Sequence, residues 1–396
     1  MSQQLINHSP DLLHLQHDGL EVEVKQATIL VNNVPYVNQQ KEICFGTLIC
    51  ELSLSGDKAI RPINHVINFI GDHPCNKDGT LITAISHQSV KRNWGANLNS
   101  SYAFSNKPEK HRSLGFPDYY EKFTHYISII SAPAKSLDSG VTEKTFKVIE
   151  SVEKSSVFHY FDTNSSRAGI NNISQKLEKQ RIAIVGLGGT GSYLLDLVAK
   201  TPTLEIHLFD GDTFDQHNAF RAPSAPSSDE LKLRPFKVDY FNNLYSNMHK
   251  GIISHREFIN SSNVNELKEF DFVFVCVDKG DVKGLIFDVL ESNDISFIDV
   301  GIGVQIVNDA LVGMVRTTTS TPKMRAHVKS RVSLADDDDD EYSSNIQIAE
   351  LNSLNAANAV IKWKKHLGFY HDHVLENNSV YTINANMLTD EDHDAA

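Results

Sequence analysis

The sequence predicts an α/β protein with a Rossmann-like, mostly parallel β-sheet in its main domain and a smaller α+β domain before it. Three observations carry this prediction. The length of 396 residues exceeds what one ordinary hydrophobic core accommodates. Strand-like and helical stretches alternate in the second part of the chain, which is typical of parallel sheets with covered faces. A glycine-rich turn joins a strand to a helix within residues 181–192.

The first part of the chain contains mostly strand-like segments. The segments predicted there are strands over 27–37, 43–54 and 65–70, a turn at 55–57, a long loop over 95–116 and a helix over 118–132. A polar connection containing a helix is predicted over 138–165. We therefore expect an α+β recognition domain over residues 1–150 and a linker over 151–170.

The second part of the chain, from residue 171 to 396, is expected to form one domain. Its predicted elements are strands over 181–185, 204–209, 272–277, 296–300 and 311–316, and helices over 193–200 and 345–366. Residues 317–344 show no periodicity and include the acidic run from Asp336 to Glu341, which favours a solvated loop. An alternative for this run is a gate over an incoming protein tail.

Composition excludes several classes of protein. The net charge is −13 without any basic block, which argues against nucleic acid as the main partner. No apolar run approaches the ~20 residues that a membrane span needs, and the N-terminal residues do not resemble a secretory signal. The four cysteines form no C-x-x-C pair, which argues against a disulfide scaffold and a structural zinc site. We expect a cytoplasmic protein without zinc.

The stretch RIAIVGLGGTGS, residues 181–192, predicts a phosphate-binding turn. Four apolar residues form a buried strand, a glycine-rich turn follows, and a helical pattern continues from Tyr193. Such a turn presents backbone N–H groups at a positive helix end, where a phosphate binds. The residues of this turn that we expect to contact a nucleotide are Gly186, Gly188, Gly189, Thr190, Gly191 and Ser192.

Polar residues after the later strands distinguish between nucleotides. Asp210 and Asp212 follow the second strand, and an acid there can bind the ribose of NAD or of ATP. Cations come next in the chain, with Arg221 near Asn218 and then Lys237. Fixed cations and a metal ion stabilise charge that develops on a triphosphate, whereas hydride transfer does not need them. This set therefore favours ATP, although Asp212 could instead only cap the next turn.

The order of these residues resembles the ThiF/MoeB/ubiquitin-activating enzyme superfamily over about 200 residues. The matching pattern is G-x-G-G-x-G-S, D-x-D, N-x-x-R, K and a later strand-end D, which here is Asp278. The resemblance implies that Asp210 holds the ribose. It also implies that Asn218, Arg221 and Lys237 hold the phosphates and that Asp278 binds Mg²⁺. Lys283 stands where many members have an arginine.

The resemblance also implies a reaction and partners. Members adenylate the C-terminal carboxylate of a ubiquitin-like or sulfur-carrier protein that ends in glycine, using ATP and Mg²⁺. A homodimer and a conjugating-enzyme-like partner are expected from the same resemblance. Arg167 resembles the arginine that members lend to the partner subunit's ATP site, although the intervening segment is shorter here. The catalytic set predicted in this way comprises Arg167, Arg221, Lys237 and Asp278.

The sequence leaves the destination of the activated carboxylate open, because no cysteine follows Cys276. The enzyme could release an acyl-adenylate to a separate protein. It could form an oxyester on a hydroxyl of residues 317–344. Cys75, in a stretch that faintly resembles the HPN region of ubiquitin-conjugating enzymes, could also accept the acyl group. A weaker alternative groups Cys44, Cys50, His65 and His73 into a metal site.

Two other functions are compatible with part of the pattern. An NAD-dependent oxidoreductase would use the glycine turn and Asp210, but it does not explain Asn218, Arg221 and Lys237 together. A non-catalytic nucleotide-binding scaffold would not need the complete polar set.

Overall fold

The chain divides into two units, residues 1–149 and 150–396. The computed structural model describes residues 2–25, 27–56, 58–89, 91–95, 98–149, 156–334 and 346–394. In that part of the chain, no helix is both long and apolar enough to cross a membrane.

The first unit is built on an antiparallel sheet. Its strands are β1 (Glu21–Lys25), β2 (Thr28–Val37), β3 (Ile43–Glu51), β4 (Leu54–Ser55), β5 (Lys58–Ala59), β6 (Ile67–Ile70), β7 (Ser86–Gln88), β8 (Arg92–Asn93), β9 (Asn99–Ser100) and β10 (Tyr102–Phe104). The main sheet has six strands in the order β1-β2-β3-β6-β10-β7, and every neighbouring pair is antiparallel. The two short pairs β4–β5 and β8–β9 lie outside it.

Helices cover the sheet of the first unit. They are α1 (Ser2–His8), α2 (Pro10–His17) and α3 (Tyr119–Leu137), with a 3₁₀ turn at Glu109–His111. Asp118 begins α3 because its side chain accepts a hydrogen bond of 2.8 Å from the backbone N–H of Glu121. Tyr119, Phe123 and Tyr126 recur at helical spacing and are fully buried in the core of this unit.

The second unit contains an eight-stranded sheet. Its strands are β11 (Arg181–Val185), β12 (Glu205–Phe209), β13 (Ile252–His255), β14 (Phe272–Val275), β15 (Ser296–Val307), β16 (Ala310–Ser320), β17 (Glu376–Thr382) and β18 (Met387–His393). The strand order is β13-β12-β11-β14-β15-β16-β17-β18. Neighbours from β13 to β15 are parallel, and those from β15 to β18 are antiparallel.

Both faces of the parallel region are covered by helices. The helices of this unit are α4 (Thr163–Ala168), α5 (Asn171–Ser174), α6 (Gly189–Val198), α7 (Gln216–Ala219), α8 (Ser228–Lys232), α9 (Lys237–Tyr245), α10 (Gly280–Ser292), α11 (Val328–Arg331) and α12 (Ala349–His366), with 3₁₀ turns at Gln175–Leu177, Val264–Glu269 and Ile383–Ala385. Ile182 and Ile184 of β11 belong to one core cluster and Ala183 and Val185 to another, because alternate residues of a strand point to opposite faces. The central part of the sheet around β11 is therefore buried on both sides.

The predicted fold class is confirmed, and the local differences have physical causes. The helix expected from Tyr193 begins at Gly189, because the glycine turn itself forms its first turn. The helix expected from Asn345 begins at Ala349, after Ile348 in an extended conformation. The predicted loop at 95–116 contains β9 and β10, and the region 317–334 contains the end of β16 and α11. The strands β17 and β18 were not predicted, since polar residues dominate them.

The remaining predictions concern segments of which the structure describes only a part. A helix was expected within 138–165. Among the described residues of this range, the only helical ones are the first residues of α4. The run Asp336 to Glu341 lies outside the described residues.

Candidate functional site

The glycine turn between β11 and α6 packs so closely that neighbouring backbone atoms exclude a side chain from two of its positions. Gly186 has a positive φ of 93°, and a Cβ there would lie 2.9 Å from the carbonyl oxygen of Cys276. A Cβ on Gly191 would overlap the carbonyl oxygen of Gly186. By contrast, a Cβ on Gly188 would meet no atom within 4 Å and would project into open space. The turn thus leaves room over its backbone at the beginning of α6.

The carboxyl ends of three neighbouring strands meet at this turn. Strand β11 lies between β12 and β14, so the chain leaves β11 towards β12 and later returns on the other side as β14. Ligands of open α/β sheets bind at such a switch point. Asp210 directly follows β12, and Asp278, which is exposed, follows β14 before α10 begins.

Asp210 organises the backbone of this edge. Its Oδ2 accepts a hydrogen bond of 2.7 Å from the N–H of Leu187, and its Oδ1 accepts one of 2.8 Å from the N–H of Asp212. Burial raises the pKa of Asp210, although Lys237 and the two N–H groups act in the opposite direction. The carboxylate therefore fixes the glycine turn against the loop after β12.

Lys237, the first residue of α9, brings a buried ammonium to the same place. Its Nζ donates a hydrogen bond of 2.7 Å to Oδ2 of Asp212 and lies 3.7 Å from Oδ1 of Asp210. Its backbone N–H also donates to the carbonyl of Asp212 at 2.9 Å. The side chain of Asp212 is 57% exposed, so it is available to solvent while it pairs with Lys237.

Arg221 has a buried guanidinium nitrogen that is not satisfied by protein. Within the described residues, its Nε has no hydrogen-bond partner and no contact with solvent. Burial lowers the pKa of Arg221, and the carboxylates of Asp278 and Asp212 act against this shift. The cation thus lies near acids from two strand ends and retains an unused donor.

Asn218 has a structural role in this arrangement. Its Oδ1 accepts a hydrogen bond of 2.8 Å from the N–H of Asp215, and together they form the capping box of α7. Asn218 is buried. It therefore holds the short helix that leads to Arg221.

Asn352 of α12 was missed by sequence reasoning, although it contacts three parts of the site. Its Oδ1 accepts a hydrogen bond of 2.9 Å from the hydroxyl of Thr190, and its Nδ2 donates to the carbonyl of Arg221 at 3.2 Å. The side chain also fills the space that a Cβ on Gly189 would need. The signal in the sequence that could have indicated this role is the presence of a polar asparagine on the apolar stripe of the predicted helix.

Ser192 and Lys283 make internal contacts. The Ser192 hydroxyl donates to the carbonyl of Gly189 at 2.7 Å within α6. Lys283 is buried and lies 2.9 Å from Oδ1 of Asp299, whose Oδ2 lies 2.6 Å from Arg316. One buried carboxylate therefore balances two cations beside β15. Arg167 lies on α4, and its side chain is outside the described part of the structure.

The side chains considered as acyl acceptors are mostly inaccessible. Cys75 is fully buried, its Sγ donates to the carbonyl of His73 at 3.2 Å, and burial raises the pKa of its thiol. The hydroxyl residues Thr317, Thr318, Thr319, Ser320 and Thr321 are also buried. Ser330 and Ser333 are exposed, whereas Ser343 and Ser344 are not among the described residues.

The structure brings possible metal ligands together, but they are not the cysteines and histidines that the sequence suggested. In the described ranges, only His255, Glu257 and Glu266 bring three such ligand atoms together. Cys44, Cys50, His65 and His73 do not form a group of this kind there. Asp278 is a single carboxylate, which suits Mg²⁺ bound mainly by substrate phosphates.

Comparison with protein families matches both parts of the chain. The model of a domain of unknown function, DUF6791, matches residues 10–163, and that of the ThiF family matches residues 163–356. No curated protein gives a significant match.

Several solved structures are similar in fold. PaaA has 17% identity and a TM-score of 0.44, with coverage of 56% of this chain and 75% of that chain. E. coli MccB with MccA-N7isoASN has 17% identity and a TM-score of 0.48, covering 60% and 73%. E. coli MccB with ATP has 15% identity and a TM-score of 0.47, covering 59% and 72%. The family matches confirm the resemblance found in the sequence: this chain carries a ThiF family domain at residues 163–356, preceded by a DUF6791 domain.

Proposed function

We propose that this protein uses ATP to adenylate the C-terminal carboxylate of a ubiquitin-like or sulfur-carrier protein. The observation that carries the proposal is Arg221, whose buried Nε lies near the carboxylates of Asp278 and Asp212 and has no hydrogen-bond partner in the part of the chain that the structure describes. A buried cationic donor without a partner is costly unless a ligand completes it. The phosphates of a nucleotide on the glycine turn would supply the missing acceptor.

The residues of the site fit a triphosphate. The open space over Gly188 and the N–H groups at the beginning of α6 would receive phosphate oxygens. Arg221 and Lys237 would add positive charge, and Asp212 would release Lys237 from its present ion pair. Asn218 would act mainly by holding the loop of Arg221, and Asp210 by holding the turn and the ribose.

Asp278 is the residue that we assign to Mg²⁺. The ion would neutralise charge on the phosphates when bound. The remaining chemistry is positioning: a carboxylate oxygen of the partner attacks the α-phosphorus, and the bond from that phosphorus to the pyrophosphate oxygen breaks. The products are an acyl-adenylate and pyrophosphate. Arg221 and Lys237 stabilise the charge that builds up during this displacement.

We further propose that residues 171–396 form the adenylation domain, that 151–170 is a linker, and that 1–150 recognises the carrier or a conjugating-enzyme-like partner. In this proposal the protein is a cytoplasmic homodimer, and Arg167 completes the ATP site of the other subunit.

Release of the acyl-adenylate to a separate protein is the destination that the burial of side chains supports best. A thioester on Cys75 would need a thiolate, and this thiol is buried with a raised pKa. The hydroxyls at the end of β16 are buried as well. An oxyester would therefore have to form on an exposed hydroxyl such as Ser330 or Ser333.

Pyrophosphate exchange tests the proposal directly. With ATP, Mg²⁺ and small proteins that end in glycine, we expect exchange that survives Cys75→Ala and is lost in Asp278→Ala. Thermal shifts with ATP and with NAD provide the comparison with an oxidoreductase. Stabilisation by NAD alone would contradict the proposal. If the protein binds ATP but no carrier protein supports pyrophosphate exchange, a non-catalytic nucleotide-binding scaffold is favoured.

A further inference from the structure

One buried lysine in the first unit has no carboxylate counter-ion among the residues that the structure describes. Lys122 of α3 is 2% exposed, and its Nζ donates a hydrogen bond of 3.1 Å to the carbonyl of Asn64. The other buried lysines of the described chain each pair with a carboxylate: Lys237 with Asp212, Lys283 with Asp299, and Lys362 with Asp372. No carboxylate among the described residues forms an ion pair with Lys122, which leaves a costly unpaired charge.

The neighbouring thiol does not balance this charge. Cys50 lies beside Lys122 and is also buried. Burial raises the pKa of Cys50, and the nearby ammonium of Lys122 only partly opposes that effect. The thiol is therefore neutral at ordinary pH, and Lys122 remains without a negative partner.

Lys122 and Cys50 line a cavity of about 50 Å³. By this measure of volume a single water needs roughly 10–15 Å³, so the cavity can hold a small polar ligand. Asn64 and Asn68 also line it, and Ile63 and Val66 give it an apolar part.

A second cation lies where the cavity meets solvent. The Arg92 guanidinium forms an ion pair with Glu51, and it lies 3.9 Å from the centre of the Trp94 ring. The side chains of Arg92 and Glu51 are 47% and 48% exposed, which places them at the mouth. Lys122 thus supplies a buried positive charge that no described carboxylate pairs with, while the exposed charges of Arg92 and Glu51 pair with each other.

We propose that this cavity binds a small carboxylate. One oxygen pairs with the Lys122 ammonium, and the asparagine amides supply further donors. The apolar part accommodates a methyl or methylene group. A phosphate dianion fits less well, because it would bring a second negative charge towards Glu51 without another free cation.

The test measures acetate binding through Trp94. The chain has two tryptophans, and Trp363 belongs to the core of the other unit. We therefore expect a saturable change in tryptophan fluorescence when acetate replaces chloride at constant ionic strength. The response should be lost completely in Lys122→Met and retained in Lys135→Met, which removes an ion-paired lysine from the same helix. Trp94→Phe identifies the reporting ring.

Three results would overturn the proposal. The first is an equal acetate response in Lys122→Met, and the second is no saturable response in the wild type. The third is a response to phosphate in place of acetate. A parallel titration with glycylglycine distinguishes a free acid from a polypeptide terminus as the source of the carboxylate. Calorimetric titration of acetate serves as a direct measurement if Trp94→Phe does not fold.

Discussion

Thr190 and Asn352 are 162 positions apart in the sequence, and a hydrogen bond of 2.9 Å joins their side chains. Through this contact the helix α12 is attached to the first turn of α6. Asn352 is fully buried, and it also bonds to the backbone of Arg221. One amide therefore positions the glycine turn and the cationic loop relative to each other.

Replacing this amide should affect both stability and nucleotide binding. In Asn352→Ala, two buried polar groups lose their partner, and each such loss costs about 1–3 kcal/mol. We expect the free energy of unfolding of the second unit to fall by about 2–6 kcal/mol for the two groups together. The affinity for ATP should fall as well. Urea unfolding followed by Trp363 fluorescence measures the first effect, since Trp363 lies on the same helix. Asn247→Ala, at an exposed site, is the control; equal losses in both variants would contradict this role.

Arg221 should matter for catalysis much more than for folding. Arg221→Met removes the unsatisfied buried Nε but retains an apolar side chain of similar length. We expect pyrophosphate exchange to fall by about 10²–10³-fold, which is typical of losing one group that stabilises transition-state charge. The thermal midpoint should stay constant or rise slightly. If Arg221→Met exchanges pyrophosphate within a few fold of the wild-type rate, Arg221 does not stabilise the transition state, and the prediction is wrong.

Two glycines provide a matched pair for testing the open turn. A Cβ on Gly188 or on Gly284 would meet no atom within 4 Å, so alanine fits sterically at both positions. Gly188→Ala should weaken ATP binding, because its methyl group would occupy the space over the turn. Gly284→Ala, inside α10, should leave binding unchanged and stabilise the protein by about 0.5–1 kcal/mol. Thermal shifts with and without ATP measure both effects. Unchanged ATP binding in Gly188→Ala would place the phosphates elsewhere.

His249 should make the second unit sensitive to acid. It is fully buried, its Nε2 donates to the carbonyl of Thr203 at 2.9 Å, and its Nδ1 accepts from the N–H of Gly251 at 3.0 Å. Burial lowers its pKa to about 4, although the bond to Thr203 acts in the opposite direction. Because the folded pKa is below the unfolded value of about 6.5, its contribution is complete above pH 6.5 and is lost as the pH falls to 4.

The size of this loss is at most about 3 kcal/mol, from the difference between the two pKa values. Urea unfolding of the wild type between pH 7 and pH 4 should show it, and His249→Gln should show a smaller dependence on pH. His371→Gln, at an exposed histidine, should behave as the wild type does. The same slope in all three proteins would show that His249 does not titrate in this range.

The parallel strands β11, β12 and β14 and the first residues of β15 were predictable because buried apolar residues dominate them, whereas the short parallel strand β13 was not predicted. Residues such as Phe272 to Val275 form short continuous apolar runs, and helices with an apolar face separate them. The strands β17 and β18 lack this signal, because polar residues dominate both of them in an antiparallel extension. Their pairing depends on tertiary contacts that no local pattern contains.

The same distinction applies to the site. Gly186, Asp210 and Lys237 could be predicted as candidate site residues because the chain places them at strand or helix ends in a recognisable order. Asn352 lies inside a helix, and its importance comes from a close approach to Gly189 that only packing produces. The burial of Cys75 was likewise invisible, since its surroundings include β2, which is distant in the sequence.

The position of Asn352 in the chain also has a consequence for biosynthesis. A ribosome makes the glycine turn and the loop of Arg221 long before it makes α12. Until that helix emerges, Thr190 lacks its acceptor and the carbonyl of Arg221 lacks its donor. The nascent protein therefore cannot complete this arrangement in the order in which its parts are translated, and a chain that stops before α12 has the glycine turn without the element that fixes it.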